Sequence, residues 1–170
     1  MKEARNPDPI DALGAAYERL LERSIDDAHA LEKEFGPSVR RWIEQARDKA
    51  VELGELSVEE GDRLATFLKR DLSDAGRYMA RFGDELRGWW GFESSLLESG
   101  LMQRFLAAAD RTTLELRDLE EHAGEYHTGE ITGPGTLVCR DCGETLSFRK
   151  PGRIPPCPKC HGTHYARPEA

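Results

Sequence analysis

The sequence predicts a mostly α-helical protein with a small β module at its C-terminal end. Three observations predict it. Over most of the first 122 residues, apolar side chains recur at three- and four-residue steps. After Gly124 the pattern changes to Thr-Gly and Gly-Pro-Gly turns with β-branched residues between them. All four cysteines of the chain then fall in that last part as two Cys-x-x-Cys pairs, Cys139/Cys142 and Cys157/Cys160. Together these give an N-terminal antiparallel helical bundle or hairpin over residues 1–124, followed by a C-terminal zinc ribbon over residues 125–170.

The first helix is expected over about 8–34. Pro9 suits a first helical turn, and Ile10, Leu13, Tyr17, Leu20, Leu21, Ala28 and Leu31 form its stripe. Phe35-Gly36-Pro37 interrupts it. A second helix over 38–53 carries Val39, Trp42, Ile43, Ala46, Ala50 and Leu53 on one face, and Gly54 is placed to cap its C-terminus. The third, over 58–82, has the clearest start signal. Ser57 is followed three places later by Glu60, a capping box. Its stripe is Leu64, Phe67, Leu68, Leu72, Ala75, Tyr78, Met79 and Phe82. Gly83, Gly88 and Gly91 then weaken helical continuity. Further helices are expected over 92–109, the most apolar stretch, and over 111–122, with Asp110 as the cap of the latter. Heptad-like stretches suggest coiled-coil pairing, but Pro and Gly break them, which favours a bundle.

Composition narrows the class. A chain of 170 residues is one ordinary domain, or one domain plus a small module. A net charge of -8 opposes broad attraction to nucleic acid or anionic membrane. The charge is uneven: from Gly135 onward six basic residues face three acidic ones, so an acidic body bears a mildly basic tail. No apolar run approaches the roughly 20 residues of a membrane span. The stretch "MKEARNPDPIDALG" has no apolar core of a signal peptide. The expected compartment is therefore the cytoplasm, where paired disulfides are disfavoured.

The cysteines are read as metal ligands. A two-residue gap lets one tight turn present two sulfurs to one ion, and zinc takes four such ligands tetrahedrally. Fourteen residues, Gly143 to Pro156, separate the pairs. That is enough to leave as one strand, turn at "KPGR" (Lys150 to Arg153) and return. Gly143 gives the first knuckle its flexible backbone. The second has His161 at the matching position and is expected to be less regular, with Pro158 stiffening it. A segment of about 36 residues buries too little apolar surface to fold alone, and metal binding at about 10–16 kcal/mol can supply the deficit.

With four sulfurs on the ion, no position is left for water or substrate, so the zinc is read as structural, one per chain. His161 and His164 lie close by and are read as solvent-facing loop residues. Iron is the competing metal, as in a rubredoxin-like electron carrier. A di-iron bundle would need two Glu-x-x-His motifs, and only the single Asp26-x-x-His29 comes near. Trp42, Trp89, Trp90 and Phe92 are read as core rather than as a partner surface. The acidic runs are read as solvated helix faces.

Four segments carry a family resemblance. "GEYHTGEITGPGTLVCRDC" with "CPKCHGTHYAR" resembles the YbeL-like family, small bacterial zinc-ribbon-containing proteins of uncharacterised function. The upstream "ELSVEEGDRLATFLKRDL" and "ADRTTLELRDLEEHAGEYH" resemble its helical region, so the likeness runs from about Ala46 onward. It implies a helical region plus a ribbon, with Cys139, Cys142, Cys157 and Cys160 at the metal-binding positions. It also implies that Tyr126-His127 leads into the ribbon and packs it on the last helix. It implies no activity.

The expected function is that of a zinc-binding, non-enzymatic, cytoplasmic adaptor or regulatory protein. Its helices would carry a protein-partner or self-association surface, and its ribbon would present Arg140, Arg149, Lys150, Arg153 and Lys159. No catalytic residues and no membrane contact are expected. The alternatives are a nucleic-acid-binding, transcription-related zinc ribbon and, less favoured, the iron electron carrier.

Overall fold

The computed structural model describes residues 9–26, 38–82, 87–90, 99–112 and 124–168. The protein is mostly helical and ends in a small antiparallel β module. Helix α1 spans Pro9–Asp26, α2 Val39–Glu52, α3 Val58–Phe82, α4 Arg87–Trp90 and α5 Ser99–Thr112. The expected continuation of the first helix over 27–34 lies outside the described residues. So do 92–98 and 113–122 of the two later expected helices.

Local chemistry fixes the ends of α2 and α3. The Ser38 hydroxyl accepts a hydrogen bond from the Arg41 amide (3.4 Å) at the start of α2. At its other end the Glu55 amide donates to Ala50 O and the Gly54 amide to Val51 O, with Gly54 at φ 71°. This is the left-handed stop expected of a helix-ending glycine. Leu53, assigned to the buried face from its spacing, sits at this stop and is 55% exposed. At the start of α3 the Glu60 amide donates to the Ser57 hydroxyl (3.2 Å) and the Ser57 amide to the Glu60 carboxylate (2.9 Å). Both bonds of the capping box are formed.

Asp110 does not open a new helix. The helix begun at Ser99 runs through it to Thr112. The reason is propensity: no Gly or Pro lies between Leu101 and Thr112, and one Asp in a helix interior costs under about 0.7 kcal/mol.

Helices α1, α2, α3 and α5 share one core, with Tyr17, Leu20, Leu21, Trp42, Ile43, Leu64, Leu68, Leu72 and Phe105 fully or almost fully buried. Trp89 and Trp90 on the short α4 are buried in it too, so the core reading holds for all three tryptophans. Phe92 lies outside the described residues. Among the described residues no helix is long and apolar enough to cross a membrane.

The β module has six short strands: β1 Tyr126–His127, β2 Ile131–Thr132, β3 Gly135–Cys139, β4 Thr145–Phe148, β5 Gly152–Arg153 and β6 His164–Ala166. Four form a sheet in the order β1-β6-β3-β4, every neighbour antiparallel. The remaining two, β2 and β5, pair with each other, Ile131 facing Arg153. The chain thus leaves the first knuckle along β4 and turns at Lys150-Pro151. It returns beside β2, not beside the strand it left on. A second, smaller apolar cluster sits inside the module: Tyr126, Leu137, Ile154 and Tyr165, with Cys139 and Cys157.

The module lies directly on the helices. Ile131 belongs to the helical core, and β5 and β2 both touch α1. Gly14 of α1 allows a close approach: a Cβ there would stand 2.7 Å from the carbonyl oxygen of Pro151. The Trp89 indole N–H donates to Pro134 O (3.2 Å), and the Thr136 hydroxyl donates to Trp90 O (2.8 Å).

Candidate metal centre

Two tight turns build the site, and they match each other bond for bond. In the first, the Gly143 amide donates to Cys139 O (2.9 Å) and the Cys139 amide to Glu144 O (2.8 Å). In the second, the His161 amide donates to Cys157 O (2.9 Å) and the Cys157 amide to Gly162 O (2.9 Å). Gly143 and His161 hold equivalent places and both are left-handed, at φ 76° and 61°. The expected irregularity of the second knuckle is therefore absent. A histidine takes up a backbone conformation that suits glycine, and the turn keeps its form.

These turns bring the four sulfurs within 4.8 Å of one another. Cys139 Sγ and Cys160 Sγ are 3.6 Å apart, as are Cys142 Sγ and Cys157 Sγ. A disulfide needs about 2.05 Å. Four sulfurs at about 2.3 Å from a central ion would stand about 3.8 Å apart. The donor set therefore fits a tetrahedral metal ion held by thiolates, with Cys139 and Cys157 buried and Cys160 exposed. Outside the sulfur set the Gly162 amide points at Cys160 Sγ (3.4 Å), a bond that supports a thiolate.

Crowding four thiols sets them against one another. The Cys157 thiol is pulled down to about 7, first by the backbone N–H of Cys160 and then by that of Lys159 and the neighbouring thiols. At Cys160 the Gly162 N–H lowers the value, but the other three thiols overcome it and push the group up to about 12. Ionising one sulfur opposes ionising the next. A bound dication removes that conflict and holds all four as thiolates.

His161 and His164 are exposed and neither joins the sulfur cluster. His164 instead meets His127 across the β1–β6 pairing, ring centroids 4.9 Å apart and edge to face. Arg140, Arg149, Lys150, Arg153 and Lys159 are all exposed on the module, Lys159 lying 3.9 Å from Glu144.

The sequence reading missed a set of buried charges that joins the module to α3. Asp71 is fully buried and accepts from the Tyr17 hydroxyl and from the Gly133 amide, each at 2.6 Å. Arg70 donates to Asp71 (3.2 Å), to Glu130 and to the carbonyl of Ile131 (3.1 Å), its guanidinium 3.9 Å over the Tyr126 ring. Asp74 accepts from the Tyr126 hydroxyl (2.6 Å). Arg167 closes the set from the far end of the module. It donates to the Tyr126 hydroxyl (3.1 Å), to Thr132 Oγ1 (2.9 Å) and to Thr136 O (3.3 Å). Tyr126 therefore docks on the long helix α3.

Burial dominates the electrostatics of this seam. It pushes the Asp74 carboxyl up, while the Tyr126 hydroxyl and the Arg167 charge pull it down. Burial also works against the charge of Arg70. The Asp71 and Glu130 carboxylates outweigh it and keep the guanidinium ionised. The signal in the sequence was positional. Phe67, Asp71, Asp74 and Tyr78 follow one another at steps of four, three and four, a single helical face. Charges inside an apolar stripe mark buried partners.

Comparison with known proteins agrees with this architecture. Residues 26–169 match the family model DUF1451, described as a zinc-ribbon containing domain. The chain is similar to the uncharacterized protein YbeL of Escherichia coli strain K12. The two are 34% identical over 129 residues, which cover 74% of this chain and 79% of the relative. The uncharacterized YbeL of strain O157:H7 is similar to the same extent. No solved structure matches the chain.

Proposed function

The chain belongs to the DUF1451 family of zinc-ribbon-containing domains, and from that premise we propose that it is a non-enzymatic zinc protein of the cytoplasm, acting as an adaptor or regulator. One observation carries the reading: the four sulfurs of Cys139, Cys142, Cys157 and Cys160 lie within 4.8 Å of one another and close the donor set. A metal ion held by four thiolates has no open position for substrate, so it shapes the protein instead of reacting. Zinc suits this role because it has no redox chemistry and accepts the tetrahedral arrangement without preference. The product of that shaping is a rigid module whose exposed basic residues, Arg149, Lys150 and Arg153, stand beside an acidic helical body. Such a surface favours an acidic protein segment as partner.

The test is a tagged pull-down from the native host with metal analysis of the same sample. One zinc per chain, no visible absorption, and a partner lost on charge reversal (Arg149→Glu with Arg153→Glu) are the expected results. A coloured, iron-containing protein would overturn the zinc assignment. A partner retained equally by the charge-reversed protein would overturn the interaction surface.

A further inference from the structure

Beside the seam, where α3 meets β6 and the first knuckle, the surface opens into a pocket of about 200 Å³. Four guanidinium groups line it, from Arg77, Arg81, Arg140 and Arg167, against one carboxylate, Asp74. That is a local excess of positive charge in a chain whose net charge is -8.

The four arginines are not alike. Arg167 is buried, and its donors are committed to Tyr126, Thr132 and Thr136, so it stiffens the wall. Asp74 is likewise held by Tyr126. Arg77, Arg81 and Arg140 have no described carboxylate within 4.0 Å, although the charge of Arg77 is felt at Asp74. Arg77 donates only weakly to the Ser73 hydroxyl (3.3 Å), and Arg81 leans over Phe82 at 5.7 Å. Several arginines elsewhere on the helices do find carboxylates: Arg23 pairs with Glu55, Arg47 with Asp62, and Arg104 with Asp26. Arg77 and Arg81 are also four residues apart on one helix, a spacing at which like charges repel. Arg140 enters from the knuckle itself, between two ligand cysteines, its amide tied to His164 O (3.0 Å). An anion shared among the three would remove the repulsion.

The rest of the wall is mainly aromatic, its rings tilted against one another by 46° and 61°. Tyr78 lies between Phe82 (4.8 Å between centroids) and Trp89 (5.6 Å), and Phe82 is 37% exposed. Guanidinium forks match the oxygens of phosphate, and an exposed aromatic face suits a planar ring. The volume lies below the roughly 300–1,000 Å³ of a drug-sized site, enough for one phosphate group and part of the ring attached to it. We propose that this pocket binds the phosphate of a nucleotide through Arg77, Arg81 and Arg140, with the base against Phe82 and Tyr78. Both a free nucleotide and the 5′ end of an RNA strand offer this chemistry. The proposal goes beyond the adaptor reading and is independent of it.

The experiment is calorimetric titration of the full-length, zinc-loaded protein with inorganic phosphate, AMP and a short 5′-phosphorylated RNA. Saturable AMP binding, tighter than that of inorganic phosphate, is expected. It should weaken at least about tenfold in Arg77→Ala and Arg140→Ala, and be unchanged in Arg63→Ala, an exposed arginine of α3 that does not line the pocket. Circular dichroism and zinc content establish that each variant is folded. The exposed Arg81→Glu provides a second charge change should Arg140→Ala disturb the knuckle. AMP binding without RNA binding identifies a free nucleotide as the source, the reverse identifies a strand end, and either supports phosphate recognition. Inorganic phosphate binding as tightly as AMP would overturn the role of the aromatic wall. No saturable binding of any of the three, or variants that bind like the parent, would overturn the site.

Discussion

The helical body and the ribbon solve the same problem with opposite means. The body buries a broad apolar cluster that runs from Ala16 on α1 to Ala109 on α5. Its stability is spread over many side chains, each replaceable at moderate cost. The ribbon's own cluster has six buried residues, and two of them, Cys139 and Cys157, belong to the four-sulfur set. So small a core does not offset the conformational entropy of ordering its chain. Its order is concentrated in four sulfurs and in the polar seam against α3. Where apolar area is plentiful no single contact is essential; where it is scarce a few groups carry the whole module.

The sharpest way to break this contrast is to take the metal away. Chelation, or Cys142→Ser, should abolish amide-exchange protection across 124–168 while α2 and α3 stay protected, because about 10–16 kcal/mol of apparent metal binding is removed from the ribbon alone. Protection lost equally in both regions would mean that the body depends on the ribbon. Acid should act in the same direction. Metal binding needs thiolates, and Cys160 is pushed up to about 12, so protons are released on binding and affinity should fall as pH falls. Competition with a zinc indicator across a pH series measures it.

The seam comes next. Asp71→Ala would strip the partner from the Tyr17 hydroxyl, the Gly133 amide and Arg70 at once. A loss of about 3–5 kcal/mol is expected in chemical denaturation, with the ribbon losing protection before the helices. Leu68→Ala removes a fully buried side chain from the body only. It should cost about 2–5 kcal/mol and leave zinc affinity unchanged. The smallest effect tests the symmetry of the two knuckles. His161→Gly relieves a left-handed histidine at φ 61° and should raise the ribbon's stability by about 1 kcal/mol, read as a higher denaturation midpoint at fixed free zinc.

How much was legible in the sequence follows from the range of the interactions. The start of α3 was legible because Ser57 and Glu60 act over three residues. The clustering of the four cysteines was legible because a Cys-x-x-Cys knuckle is local too. The pairing of β5 with β2 was not, since Thr132 and Gly152 lie 20 residues apart and only the packing of both on α1 brings them together. Asp71 and Asp74 were not singled out because their partners, Tyr126, Gly133 and Arg167, are far along the chain. Asp110 misled in the other direction: a residue that favours helix starts also sits inside helices when nothing nearby stops them.

The place of β6 in the sheet has a consequence for how the protein is made. It is the last strand in sequence, yet it sits between β1 and β3. A chain emerging from the ribosome exposes both knuckles before it exposes the strand that unites the sheet and carries Arg167 toward α3. Zinc capture can therefore precede docking. A chain that misses its ion would leave the sheet unclosed and the four buried charges Arg70, Asp71, Asp74 and Arg167 without their full set of partners.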